Sequence, residues 1–65
     1  MKKPINEISV TMLRSIIKTN GITIKFVADQ INTNPSNLAR YFFKDKMPIK
    51  LRSKVEQFIN DKNLY

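Results

Sequence analysis

Four polar residues recur at helical spacing in the middle of the chain. Ser36, Arg40 and Lys44 are four positions apart, and Asn37 lies three before Arg40. On an α-helix these positions share one face, away from Leu38, Tyr41 and Phe42. Their common chemistry is hydrogen bonding to flat polar edges. A guanidinium fork fits guanine O6 and N7, and a side-chain amide fits adenine N6 and N7. Each such pair discriminates by about 1–3 kcal/mol. With Asn34 just before them, these residues are the candidates for contact with bases or a groove. A second set carries hydroxyl or ammonium groups: Thr23, Lys25, Lys46, Lys50 and Lys54. Such groups suit phosphate oxygens, whose contacts position a protein on a duplex and make binding salt-dependent. Lys50 and Lys54 stand at i and i+4, where like charges repel mildly, and a phosphate would offset that cost. The competing reading makes Arg40 and the lysines a solvated surface and Asn37 a support for the helix start.

Phe43 is the odd residue on this face. Its periodicity groups it with Arg40 rather than with the core. Three roles fit it: contact with a thymine methyl, packing against the next loop or fourth helix, or a place in a dimer interface.

Other chemistries are poorly served. The 65 residues include no His, no Cys and no Trp. That excludes a zinc finger, a thiol nucleophile, a Ser-His-Asp triad and an imidazole switch. Five acidic residues, Glu7, Asp29, Asp45, Glu56 and Asp61, are scattered without a pair at acid–base spacing. A single glycine, Gly21, cannot make a Gly-rich phosphate loop. No enzyme activity, metal, cofactor or small-molecule substrate is therefore expected.

Charge is the strongest compositional signal. Twelve Lys and Arg face five Asp and Glu, a net +7 at neutral pH. The excess is local. Arg40, Lys44, Lys46, Lys50, Arg52 and Lys54 stand against Asp45 alone, while residues 55–65 are slightly acidic. At 42% hydrophobic the chain should fold, so the charge sits on a folded body and calls for a polyanionic partner. No apolar run approaches the ~20 residues of a membrane span. Pro4, Asn6 and Glu7 interrupt any signal-peptide core. The absence of Cys fits a cytosolic compartment.

The elements that must carry these residues are helices. Gly21, Pro4, Pro35 and Pro48 cut the chain into four apolar-periodic pieces. Val10, Leu13, Ile16 and Ile17 line the first, from about Ser9 to Thr19, with Ser9 as N-cap and Asn20-Gly21 as stop. Thr23 caps the second, whose inward face is Val27, Ala28 and Ile31, with Ile24 beside them. Asn34-Pro35 opens the third, since Asn is a strong N-cap and Pro suits the first helical position. That helix should end near Lys44-Asp45. The fourth follows Pro48 with Leu51, Val55, Phe58 and Ile59 inward. The sequence thus predicts an all-α bundle of four to five short helices in one domain, 1–65, with a flexible arm at 1–5 and a fraying tail at 60–65.

The second and third pieces are joined by only Asn32-Thr33-Asn34. So short a link forces a sharp crossing, the geometry of a helix-turn-helix whose second helix enters the DNA major groove. Ala28 allows close approach.

Ile22 to Ile31 followed by Asn34 to Tyr41 resembles phage Cro and repressor-type (Xre-like) helix-turn-helix domains. Thr23, Val27-Ala28, Ile31, Ser36, Leu38 and Tyr41 match the family's cap, buried aliphatic-Ala pair, next aliphatic, helix-start serine and buried residues. Lys44, Lys46 and Pro48 match its basic loop and the proline before a further helix. The likeness covers roughly residues 9–59. It implies a lambda repressor-like fold and a cytoplasmic, bacterial or phage-encoded repressor. Such a protein binds double-stranded DNA as a homodimer, in this case one that forms on DNA or through the fourth helix and tail. The family's turn glycine is Asn32 here, which tolerates the left-handed region. Its usual phosphate-contacting Gln at the start of the second helix is Ile24. Its aliphatic after the turn is Thr33. A protein-interaction module on the same fold, an antirepressor or inhibitor of a host protein, is the alternative function, with Phe43, Tyr65 and Ile24 as its exposed apolar patch.

Overall fold

Each helix starts where the sequence supplies a side-chain acceptor or a proline. In the computed structural model, which describes residues 3–65, the Ser9 hydroxyl accepts from the Met12 amide and opens helix α1, Val10–Thr19. Thr23 Oγ1 accepts from the Phe26 amide and opens α2, Ile24–Gln30. Asn34 Oδ1 accepts from the amides of Ser36 and Asn37, and Pro35 takes the first position of α3, Pro35–Lys44. These caps satisfy amides that have no partner within their own helix. Helix α4, Ile49–Asp61, follows Pro48 without a side-chain cap. A single 3-10 turn, Ile5–Glu7, precedes α1. The described residues contain no strand, and the fold is all-α as expected.

All four α-helices end in the same way. A residue in the left-handed region follows each, and the amide after it donates back five positions to a carbonyl of the last turn. Gly21 serves α1, Asn32 serves α2, Asp45 serves α3 and Asn63 serves α4, with φ between 56° and 73°. The closing bonds run from Ile22 to Ile17, Thr33 to Ala28, Lys46 to Tyr41 and Leu64 to Ile59. Asn32 thus adopts the conformation that a turn glycine would, at φ 58°.

The caps fix helix lengths, and the apolar stripes fix how the helices pack. Val10, Leu13 and Ile17 of α1 meet Val27 and Ala28 of α2, Leu38 and Phe42 of α3, and Val55, Phe58 and Ile59 of α4 in one core. Full burial of each large side chain contributes about 1.5–3 kcal/mol. Ala28 is fully buried, and α2 and α3 are the most closely packed helix pair. Tyr41, expected in the core, is only half-buried, whereas Phe42 is buried. The radius of gyration is 10.6 Å, close to the ~10.7 Å of a fully compact chain of this length.

Both ends carry apolar side chains that pack on the core. Helix α4 runs on through Asn60 and Asp61, and Leu64 and Tyr65 pack against the core. At the other end Ile5 and Ile8 also pack on it. Arg52 Nη2 donates to the carbonyls of Ile5 (3.0 Å) and Ile8 (2.5 Å), and the Tyr65 hydroxyl donates to the Lys3 carbonyl. In these stretches Ile5, Leu64 and Tyr65 make the core contacts, and Lys3, Pro4 and residues 60–63 are exposed. The rest of the expected arm, residues 1 and 2, lies outside the described residues.

Candidate nucleic-acid interface

The cap at Asn34 does more than start α3. Its one side-chain oxygen serves two amides, which also limits what Asn34 can offer a partner. Burial of Leu38 and Phe42 decides which side of α3 faces outward. With Leu38 and Phe42 turned into the core, Ser36, Asn37, Arg40 and Lys44 are all exposed on the other side. Asn34 is exposed too, but its side-chain oxygen is committed to the Ser36 and Asn37 amides. Its NH2 group is what remains to offer, so it can donate to an acceptor but cannot form a two-bond grip on adenine. Asn37 takes no part in capping through its side chain, because Asn34 performs that task. Its amide is therefore open to a partner. No acidic residue lies between Pro35 and Lys44.

The phosphate candidates are likewise outside. Thr23, Lys25, Lys46, Lys50 and Lys54 are exposed. Thr23 accepts one bond from the Phe26 amide and keeps its hydroxyl proton to donate. Among the described residues, Arg40 and these lysines have no acidic partner within salt-bridge distance; the pair there is Arg52 with Glu56. Their charges are unneutralised within the chain.

Arg52 does not belong to this footprint, although it sits in the basic stretch of the sequence. Its Nε donates to Glu56 and its Nη2 to two backbone carbonyls, and its side chain is only 14% exposed. It ties the N-terminal segment to α4. Asp45, the single acid in that stretch, is also engaged. Its carboxylate accepts from the amide and the hydroxyl of Thr11, both at 2.9 Å. Those two bonds, backbone first, hold its pKa below the ordinary aspartate value.

Two cations extend the candidate site. Arg14 and Lys18, at i and i+4 on α1, line an open cleft of about 260 Å³ together with Ile17, Ile22, Thr23 and Ile24. Thr23 and the start of α2 therefore share this cleft with two basic side chains. Their spacing on α1 was the available sequence signal, but only the fold brings that helix beside Thr23. Phe43 follows its periodicity: it is 89% exposed and does not pack against α4. Ile49, the first residue of α4, is 74% exposed. Phe26 is partly exposed, but its ring meets Phe58 edge-on at 6.2 Å.

The described residues hold no cluster of potential metal ligands and no helix long and apolar enough to cross a membrane. No family model matches the chain, and no curated protein or solved structure matches it.

Proposed function

We propose that this protein is a sequence-specific double-stranded DNA-binding regulator of the Cro type, encoded by a phage or another mobile element. It represses by occupying an operator in the bacterial cytoplasm. The observation that carries this reading is the outer face of α3. Ser36, Asn37, Arg40 and Lys44 are exposed there without an intervening acid, on the second helix of a tightly linked pair. In the complex α3 lies in the major groove as the recognition helix of a helix-turn-helix. Arg40 and Asn37 read base edges, Ser36 and the Asn34 NH2 line the groove, and Lys44 stands at its wall. Thr23, Lys25, Lys46, Lys50 and Lys54 hold phosphates and supply most of the salt-dependent affinity.

Selection of bound sequences from a random duplex library, followed by a salt titration on the selected site, tests this. The expected result is a defined, palindromic motif and an affinity that falls steeply with salt. Weak binding to every duplex, with no enriched sequence, sinks the reading. A second reading, a protein-interaction module, is favoured by the exposure of Phe43 and Ile49, although Ile24 and Tyr65, expected in the same patch, are half-buried against the core. It predicts no selected motif and a protein partner instead.

A further inference from the structure

Asn20-Gly21 is the one place in the chain where an asparagine is followed by a backbone amide that no side chain shields. Every other asparagine precedes a residue that carries a side chain, and Pro35 after Asn34 has no N–H at all. Such a pair can react with itself. The Gly21 nitrogen gives up its proton and attacks Asn20 Cγ. A new N–C bond forms, the bond from Cγ to Nδ2 breaks, and that nitrogen takes up the proton and leaves as ammonia. A five-membered imide remains. Water then opens it at either carbonyl, giving aspartate or its β-linked isomer, isoaspartate. The step needs no cofactor and no enzyme. Asn20 and Gly21 are both exposed, so water has access.

The native geometry holds this pair out of reaction. Ring closure needs the Gly21 nitrogen swung onto the Cβ side of Asn20. At ψ 9° that nitrogen instead eclipses the Asn20 nitrogen. The Gly21 N–H, whose proton must leave, donates to the Lys18 carbonyl at 3.0 Å. The Asn20 side chain, which must turn to present its carbon, donates through Nδ2 to the Ile16 carbonyl at 2.7 Å. Gly21 at φ 73° and the Ile22 amide on the Ile17 carbonyl at 3.1 Å complete the cap. Rotation about the Asn20 ψ breaks the Gly21 and Ile22 bonds, and turning the side chain breaks the third. The end of α1 must therefore open before attack.

We infer that Asn20 is a site of spontaneous deamidation gated by local opening of the α1–α2 turn, and that its products do not fit back into the native cap. Helix ends open at a smaller free-energy cost than the whole domain, so the gate is local. Conversion of the amide to an acid places a negative charge at the negative end of the α1 dipole. It also replaces the Nδ2 donor with an oxygen that faces the Ile16 carbonyl. Isoaspartate further routes the main chain through the former side chain, which adds a carbon to the turn joining α1 to α2. The reaction is thus a one-way exit from the folded population. That turn sets where α2 and its cap Thr23 begin. The inference stands whether or not the protein binds DNA.

The test holds the full wild-type chain in neutral buffer, with and without unfolding urea, and maps its peptides by mass spectrometry over time. Enzymatic methylation of isoaspartate separates the two products. In urea, conversion at Asn20 should outrun that at every other asparagine. In the native chain it should run at least about tenfold slower. Hydrogen exchange of the Gly21 and Ile22 amides supplies the opening constant, and the native-to-urea rate ratio should match it. Asn20→Asp, the aspartate product made directly, should melt lower by about 2–8 °C. Equal rates with and without urea would show that the fold does not gate the reaction. Faster conversion of another asparagine in urea defeats the choice of site. A rate ratio more than about tenfold away from the opening constant overturns gating by this turn. An Asn20→Asp chain that melts with the wild type overturns the misfit of the products.

Discussion

Asp45 joins two helices by receiving both the amide and the hydroxyl of Thr11, 34 positions away in sequence, at 2.9 Å each. One carboxylate thus ends α3 in the left-handed conformation and supplies an acceptor near the start of α1. Both bonds favour the ionised form, so its folded pKa lies below its unfolded one. A depressed acid adds stability that is fully present above the unfolded pKa and is lost as pH falls through the folded value. Asp45→Asn keeps the left-handed preference and an acceptor oxygen but cannot titrate. The wild type should therefore lose melting temperature relative to Asp45→Asn as pH is lowered below about 4, and the two should run parallel above pH 6. Thermal melts from pH 2 to 7 check this, and parallel curves throughout would show that the Thr11 bonds do not stabilise the charged form.

Arg52 and its basic neighbours should separate cleanly by experiment. Removal of the Arg52 side chain leaves Glu56 unpaired and takes a donor from the Ile5 and Ile8 carbonyls. Arg52→Met should cost about 1–3 kcal/mol. Denaturant titration measures that loss. Lys50→Ala and Lys54→Ala, at exposed positions, should change stability by less than about 0.5 kcal/mol. Each should instead reduce the salt slope of DNA binding by about 0.9. A stability loss in the lysine variants, or none in Arg52→Met, would reverse the assignment of roles.

This contrast marks where sequence reasoning stops. Ser9, Thr23 and Asn34-Pro35 announce their helices because a cap is a local event, with acceptor and amide two or three residues apart. Val27-Ala28, Leu38 and Phe42 are legible because helical periodicity alone puts them on one face. The outward direction of Arg40, Lys44 and Phe43 follows from the same period. Arg52 is different. Its pairing with Glu56 is local, but the two carbonyls that turn it inward lie 44 and 47 positions away. The docking of Leu64 and Tyr65 and the meeting of Arg14 and Lys18 with Thr23 depend equally on how distant helices cross. Asp45 and Asn63 as left-handed stops were hidden for another reason: polar residues at a helix end look like solvent-facing tail until their φ is known.

Asn32 occupies the turn between α2 and α3 at φ 58°, and the Thr33 amide behind it donates to the Ala28 carbonyl at 2.8 Å. A residue with a Cβ carries a penalty in this region, which Asn bears better than most and Gly avoids. Asn32→Gly should be neutral to slightly stabilising, and Asn32→Ala should cost about 1 kcal/mol. For a domain of this size that is a fall of about 4–8 °C in melting temperature. Because Ala occupies the same left-handed conformation at that cost and the α2–α3 crossing is kept, Asn32→Ala should weaken DNA binding no more than its stability loss explains. A melt series on the two variants tests the turn, and equal melting temperatures would remove the left-handed requirement.

Arg40 is exposed on α3, and no acidic side chain of the described residues pairs with it. A solvated arginine and a base-reading arginine behave differently on truncation. If Arg40 only adds charge, Arg40→Ala lowers affinity for all duplexes alike and leaves the preferred motif intact. If it grips a guanine, the loss is about 1–3 kcal/mol on the selected site and nearly absent on duplexes altered at that one base pair. Lys44→Ala should show the first pattern and Arg40→Ala the second. Affinities of both variants for the selected site and its single-base changes, at one fixed salt concentration, distinguish them. A flat loss for Arg40→Ala across all those duplexes would remove it from the reading set and return it to the solvated surface.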